Sequence, residues 1–144
     1  MFLEKITAYL DRHNVGYAVS RTSSLRSGES VRNALRTVVV EIDGRPGMVV
    51  VPASRPFSLE DLRFIVGTMR VRIADESECR VIFPGCDPDA IPPFGNFAGV
   101  EVYADPAVAG QEEIVFHPGD RSQWIRIAWR DFERLVEPRV IATR

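Results

Sequence analysis

Residues 83–97 read Phe83-Pro84-Gly85-Cys86-Asp87-Pro88-Asp89-Ala90-Ile91-Pro92-Pro93-Phe94-Gly95-Asn96-Phe97. Four of the chain's ten prolines fall here, so the stretch is neither a helix interior nor a central strand. Its phenylalanine and isoleucine side chains are more than a solvated linker needs. A stiff, apolar, irregular loop in mid-chain has two readings. It is one wall of a ligand cleft, or it is a proline-rich crossover that covers the end of a sheet.

The elements on either side set the fold class. Upstream, Phe2, Leu3, Ile6, Tyr9 and Leu10 form one helical stripe over residues 2–13, and Gly16 is the expected stop. Tyr17–Ser20 reads as a short strand, residues 20–30 as a polar loop, and residues 29–35 as a short polar helix. Thr37–Ile42 and Met48–Pro52 flank Asp43-Gly44 and predict a hairpin. Their near-continuous apolar character predicts cover on both faces. Ser58 with Asp61 predicts a capped helix that ends at Gly67. Arg70–Ile73 alternates like a strand, and Asp75 is placed to cap a helix running to about Ile82.

Downstream of the loop, Gly99–Tyr103 reads as a strand and Asp105-Pro106 as the start of a helical turn. Glu113–His117 and Gln123–Ala128 predict a second hairpin across Pro118-Gly119-Asp120. Asp131–Val136 predicts a short helix. Residues 139–144 carry no clear signal and are expected to fray. With 144 residues and no linker or repeat, one domain spanning 1–144 is expected. Several connections are too short for helical crossovers. The class is therefore α/β, with a largely antiparallel or mixed sheet.

Charge and motifs narrow the function. A formal net charge of -2 gives no global field for nucleic acid or membrane, and no helix shows a dense basic face for DNA. There is no apolar run long enough to span a bilayer, and no visible secretory signal. Cys79 and Cys86, outside metal-pair spacing, read as free thiols used as buried filler, and a cytoplasmic setting is expected. With only two histidines, a zinc site is not expected. No G-x-S-x-G, P-loop or G-x-G-x-x-G occurs. His13 reads as exposed, and His117, at a strand end before a turn, as a candidate lining residue. Arg36 precedes a buried-looking strand. It reads either as a clamp for an anion or carbonyl, or as a snorkelling strand-end arginine. Asp105 reads first as a helix cap.

Taken in order, Leu35-Arg36-Thr37-Val38-Val39-Val40, Val50-Val51-Pro52-Ala53, Ala90-Ile91-Pro92-Pro93-Phe94-Gly95, Val102-Tyr103-Ala104-Asp105, Glu113-Ile114-Val115-Phe116 and Gly119 resemble the YbaK/ProX family of aminoacyl-tRNA deacylases. The family includes free-standing relatives of the editing domain of prolyl-tRNA synthetase. The resemblance covers about residues 17–137. It implies a mixed, mostly antiparallel, barrel-like sheet flanked by helices. It further implies metal-free and cofactor-free hydrolysis of a mischarged small amino acid from the acceptor end of tRNA, acting in trans. Arg36, Ala90, Ile91 and Pro92 then fall at catalytic positions. Asp89, Pro93, Phe94, Gly95, His117 and Gly119 fall at substrate-binding ones, and Arg21, Arg26 and Arg32 are candidate phosphate contacts. Arg36 stands where the family has lysine, and Asp89 where its Gly-x-x-x-Pro loop has glycine. The alternative is therefore a catalytically impaired member that binds a small ligand, tRNA or a protein. The resemblance leaves the oligomeric state unknown.

Overall fold

The computed structural model describes residues 2–21 and 33–140. Helix α1 spans Phe2–Arg12, with Ile6 and Leu10 fully buried. Its end differs from the expectation at Gly16. Asn14 takes the left-handed conformation (φ 57°), its amide reaches the Asp11 carbonyl and the Val15 amide reaches the Leu10 carbonyl. That bond pair is a Schellman stop, and buried Val15 closes it against the apolar side of the helix. Asparagine tolerates positive φ because its short side chain adds little steric cost.

Strand β1 (Ala18–Arg21) follows, and the chain is next described at Asn33. Residues 33–35 are a turn and the start of a strand, while the rest of the expected polar helix lies outside the described residues. Strands β2 (Leu35–Ile42) and β3 (Arg45–Pro52) form the expected hairpin, closed by Asp43 (φ 51°) and Gly44 (φ 84°). Two positive φ values make the turn twist with the strands. Helix α2 (Leu59–Val66) has a complete Ser58/Asp61 capping box and ends at left-handed Gly67. Strand β4 (Val71–Ile73) and helix α3 (Glu76–Ile82) follow, the latter with its own Asp75/Glu78 box.

After the proline-rich loop come a 3₁₀ turn (Gly95–Phe97), strand β5 (Glu101–Ala104) and helix α4 (Pro106–Ala109) capped by Asp105. Strands β6 (Glu113–Phe116) and β7 (Gln123–Ala128) and helix α5 (Trp129–Val136) complete the fold. Arg139, expected to fray, instead pairs with the edge of β5. The Ala104 amide donates to its carbonyl, and its own amide donates to the Val102 carbonyl.

The strands form two sheets, β1-β7-β6 and β4-β2-β3-β5. All neighbours are antiparallel except β3 and β5. The sheets do not close into a barrel. They are joined by a bridge between Ala34 and Val115, just before β2 begins. The β2–β3 hairpin is covered on both faces. Leu35, Val39, Met48 and Val50 face the core shared with β6, β7, α1 and α5. Val38, Val40, Val49 and Val51 face α2. Alternation along each strand produces the two clusters.

The proline-rich loop is anchored in the first core. Phe94 is fully buried, with ring centroids of Tyr9, Phe97, Phe116 and Phe132 at 5.4–6.1 Å. Gly95 packs so closely that a Cβ would lie 2.6 Å from Val102 Cγ2 and 2.7 Å from the Val100 carbonyl oxygen. Gly95→Ala should therefore destabilise by about 1–3 kcal/mol in urea unfolding. Gly16→Ala, in open space at negative φ, should be neutral or stabilise by up to about 1 kcal/mol. Equal midpoints for the two variants would contradict this packing.

Candidate functional site

The site arises from a change of partner along one strand edge. On its inner edge β2 is paired with β3 from end to end. On its outer edge the Asn33 carbonyl accepts from Val115 of β6, and the Val39 carbonyl accepts from Ala74 just after β4. Peptide groups on a strand alternate sides, so the Thr37 amide and carbonyl point to that same outer edge. Pairing with β4 begins at Val40 and the β6 bridge sits at Ala34, so neither strand reaches Thr37.

A two-lobed cleft opens over this gap. The smaller lobe, about 200 Å³, is lined by Leu35, Arg36, Thr37, Ala53, Asp89, Ala90, Ile91, His117 and Trp124. The larger lobe, about 390 Å³, runs along Arg36–Val39 towards Phe57, Ile73, Cys79, Arg80, Asp87 and Arg121. Arg36, Thr37 and Asp89 line both lobes and so mark the seam between them.

Five of the residues singled out in the sequence thus meet at the smaller lobe: Arg36, Asp89, Ala90, Ile91 and His117. Of residues 83–97, the 87–91 portion lines the two lobes. The later part of the loop does something else. Pro92, Pro93, Phe94 and Gly95 are buried and line neither lobe, and Phe94 is a core residue rather than a pocket wall. Gly119 also lines neither lobe. Its amide donates to the Ala90 carbonyl at 2.7 Å, and its carbonyl accepts from Asp87 at 3.0 Å. Its φ of +97° and the nearby Cys86 Sγ, 3.0 Å from where a Cβ would be, leave room for glycine alone. Gly119 is the tie that holds the loop at the cleft.

This tie decides which backbone groups are left for a ligand. The Ala90 amide donates to the Asp87 carbonyl and the Ala90 carbonyl accepts from Gly119. Pro92 and Pro93 have no N–H. Ile91 therefore carries the one amide of the 90–93 segment with no partner among the described residues.

Arg36 is exposed and its guanidinium carbon lies 5.3 Å from the Phe57 ring centroid, a cation–π contact. Among the described residues it makes no ion pair, and neither does Arg80. Asp89 accepts from Arg121 at 3.1 Å across the rim. Both partners are more than half exposed, so the pair adds little stability.

His117 is stacked on Trp124, with ring centroids 3.6 Å apart and planes 24° from parallel. Its Nδ1 lies 2.7 Å from the Gln123 carbonyl. A carbonyl accepts only, so Nδ1 carries the proton and Nε2 is left as an acceptor. Burial pushes the His117 pKa below its ordinary value, opposed by the Gln123 bond and by Asp89 and Asp120. The Thr37 hydroxyl and the Trp124 indole N–H are buried without a partner among the described residues. Each such orphan costs about 1–3 kcal/mol, and both belong to residues that line the smaller lobe.

The thiols do not offer a nucleophile. Burial raises the Cys79 pKa and pushes Cys86 up to about 11. Among the described residues no group of three or more His, Cys, Asp or Glu is placed to hold a metal. None of their helices is long and apolar enough to cross a membrane. Asp105 is confirmed as the α4 cap, accepting from the Ala107 amide and pairing with Arg55 away from the cleft. His13 is exposed. Arg21 is exposed at the end of β1, while Arg26 and Arg32 lie outside the described residues.

The profile of the aminoacyl-tRNA editing domain matches residues 18–135. Solved structures share the fold across nearly the whole chain. A scaffold protein from a computational epitope-grafting design is 17% identical, with a TM-score of 0.78 over 99% of this chain and 96% of its own. A structure described as a candidate trans-editing enzyme for prolyl tRNA synthetase is 16% identical, with a TM-score of 0.77 over 98% of this chain and 95% of its own. A larger protein from Marinobacter aquaeolei VT8, described as a candidate signal transduction protein, is 17% identical. It has a TM-score of 0.68 over 89% of this chain but only 27% of its own. At these identities the likeness shows the fold alone. No curated protein matches the sequence.

A depressed pKa keeps His117 neutral at pH 7. The unfolded imidazole takes its proton near pH 6.5 and the folded one only at lower pH. The associated stability is full above about pH 6.5 and is lost as pH falls through the folded value. An NMR titration should place the His117 midpoint below 6.5. A His117 midpoint above 6.5 would contradict the burial.

Proposed function

The chain belongs to the aminoacyl-tRNA editing domain family, and on that premise we propose that it hydrolyses the ester joining a mischarged small amino acid to the 3′ end of tRNA, acting in trans. The observation that supports this is the two-lobed cleft with its seam at Arg36, Thr37 and Asp89. The smaller lobe is below the roughly 300–1,000 Å³ of drug-sized ligand sites and suits a small amino acid. The larger lobe suits the terminal nucleoside. The ester then crosses the seam.

Attack by water gives the free amino acid and a tRNA with a free terminal hydroxyl. Negative charge develops on the carbonyl oxygen, and the unpartnered Ile91 amide is the donor suited to receive it. The Thr37 carbonyl, which has no partner among the described residues, His117 Nε2 and the neighbouring ribose hydroxyl are acceptors that orient the water. Arg36 holds the terminal nucleotide through its phosphate or ribose, in the place where the family has lysine. A guanidinium offers a planar fork in place of a point charge, which favours bidentate phosphate contact. Catalysis of this kind is positioning plus a prearranged field, and needs no side-chain nucleophile.

A second reading rests on Asp89, which places a carboxylate at the seam where the oxyanion would form. On that reading the chain binds aminoacyl-adenosine or a related ligand without cleaving it.

Deacylation over a panel of tRNAs mischarged with small amino acids separates the two. Hydrolysis of at least one by the native protein is expected. Arg36→Ala should then lower kcat/KM about 100-fold and Arg36→Lys far less. An inert but folded native protein that gains hydrolysis from Arg36→Lys with Asp89→Gly would establish the binding reading instead.

A further inference from the structure

We propose that Asp89 is a specificity residue that receives the substrate's α-ammonium group, so that the cleft selects aminoacyl ends with a free amine. The inference rests on the reading of the cleft given above, and deepens it. Its basis is placement. An aminoacyl ester carries its α-nitrogen one carbon from the ester carbonyl, so wherever the ester crosses the seam the ammonium lies beside it. Three residues form the seam. Arg36 is cationic and repels an ammonium. The Thr37 hydroxyl is buried. Asp89 is the anion.

The other carboxylates around the cleft, Glu76 and Asp87, line only the larger lobe. Asp89 also has acceptor capacity to spare. Arg121 donates to its Oδ2, and among the described residues no hydrogen bond reaches Oδ1. Arg121 itself lines the larger lobe and not the smaller one, so it stands on the nucleoside side of the carboxylate. The amino-acid side is left to the ammonium. A backbone-only loop at this position would offer no charge to discriminate with. The aspartate supplies a charge-assisted hydrogen bond, roughly twice as strong as a neutral one.

The test uses two size-matched probes that cannot be hydrolysed. These are 3′-deoxy-3′-(L-alanylamino)adenosine, which carries the ammonium, and its L-lactyl counterpart, which carries a hydroxyl in its place. Calorimetric titration of the native chain should show the alanyl form binding about tenfold tighter. Asp89→Asn should remove that preference, the alanyl form losing about ten times more affinity than the lactyl form. Because the side chain is exposed, circular dichroism should show the variant folded as the native chain is. Equal native affinities for the two probes, or a preference that survives Asp89→Asn, would overturn the inference. So would failure of both probes to bind, which would also remove the reading of the cleft. If the preference is seen in a chain that hydrolyses no mischarged tRNA, the role of Asp89 stands and the deacylase reading falls.

Discussion

A strand that changes partner along one edge leaves a gap, and the rest of this site depends on that gap. Strand β2 is held on one side by β3 over its full length. On the other side it passes from β6 at Ala34 to β4 at Val40. Between those points the Thr37 peptide group keeps its hydrogen-bonding capacity. Orphaned backbone groups are costly when dry, so such a gap persists where water or a ligand can reach it. The cleft lies over this stretch. Its far wall, residues 87–91, has no regular structure of its own and is fixed by the Gly119 backbone. On the proposed reading, the site rests on two peptide groups, at Thr37 and Ile91, held at fixed places by a hairpin and a glycine.

Electrostatics at the cleft are local. The chain's net charge of -2 gives no broad attraction for tRNA. Around the larger lobe, however, Arg36 and Arg80 have no carboxylate partner among the described residues, whereas Arg72, Arg121, Arg126, Arg134 and Arg139 do. An arginine without a described partner beside an aromatic ring, as Arg36 lies beside Phe57, suits a nucleotide better than it suits folding stability, to which exposed charges add little. The unsatisfied Thr37 hydroxyl and indole N–H of Trp124 fit the same pattern. Groups that cost stability in the free chain collect where a ligand would sit.

Local chemistry was legible in the sequence, and long-range chemistry was less so. The Ser58/Asp61 capping box, the Asp75 cap, the Asp43-Gly44 turn, the Gly67 stop and the double cover of the hairpin follow from neighbours a few residues apart, and all are present. The helix stop went to Asn14 in place of Gly16, because the bond pattern to Leu10 and Asp11 set the position and asparagine could meet it. The division into two sheets was not readable, since it turns on how far β4 and β6 extend along β2. The meeting of Arg36 with residues 89–91 and His117 followed from the resemblance. The separation of Ala90 and Ile91 from Phe94 and Gly95, pocket wall from core, did not. All four are apolar or small, and only the packing of Phe94 among four aromatic rings distinguishes them. Nothing in the local pattern marked Trp124 as the partner of His117, or Gly119 as the tie of the loop.

Backbone amide hydrogen exchange tests the central claim most directly, because it reads the two peptide groups without altering them. In the free chain the Thr37 and Ile91 amides should exchange well ahead of the Val38 and Val40 amides, which face β3. With the alanylamino-adenosine analogue bound, both should slow while the hairpin interior is unchanged. A Thr37 amide already as protected as its neighbours, or a pair of amides indifferent to the analogue, would contradict the claim that this open edge is where the substrate binds.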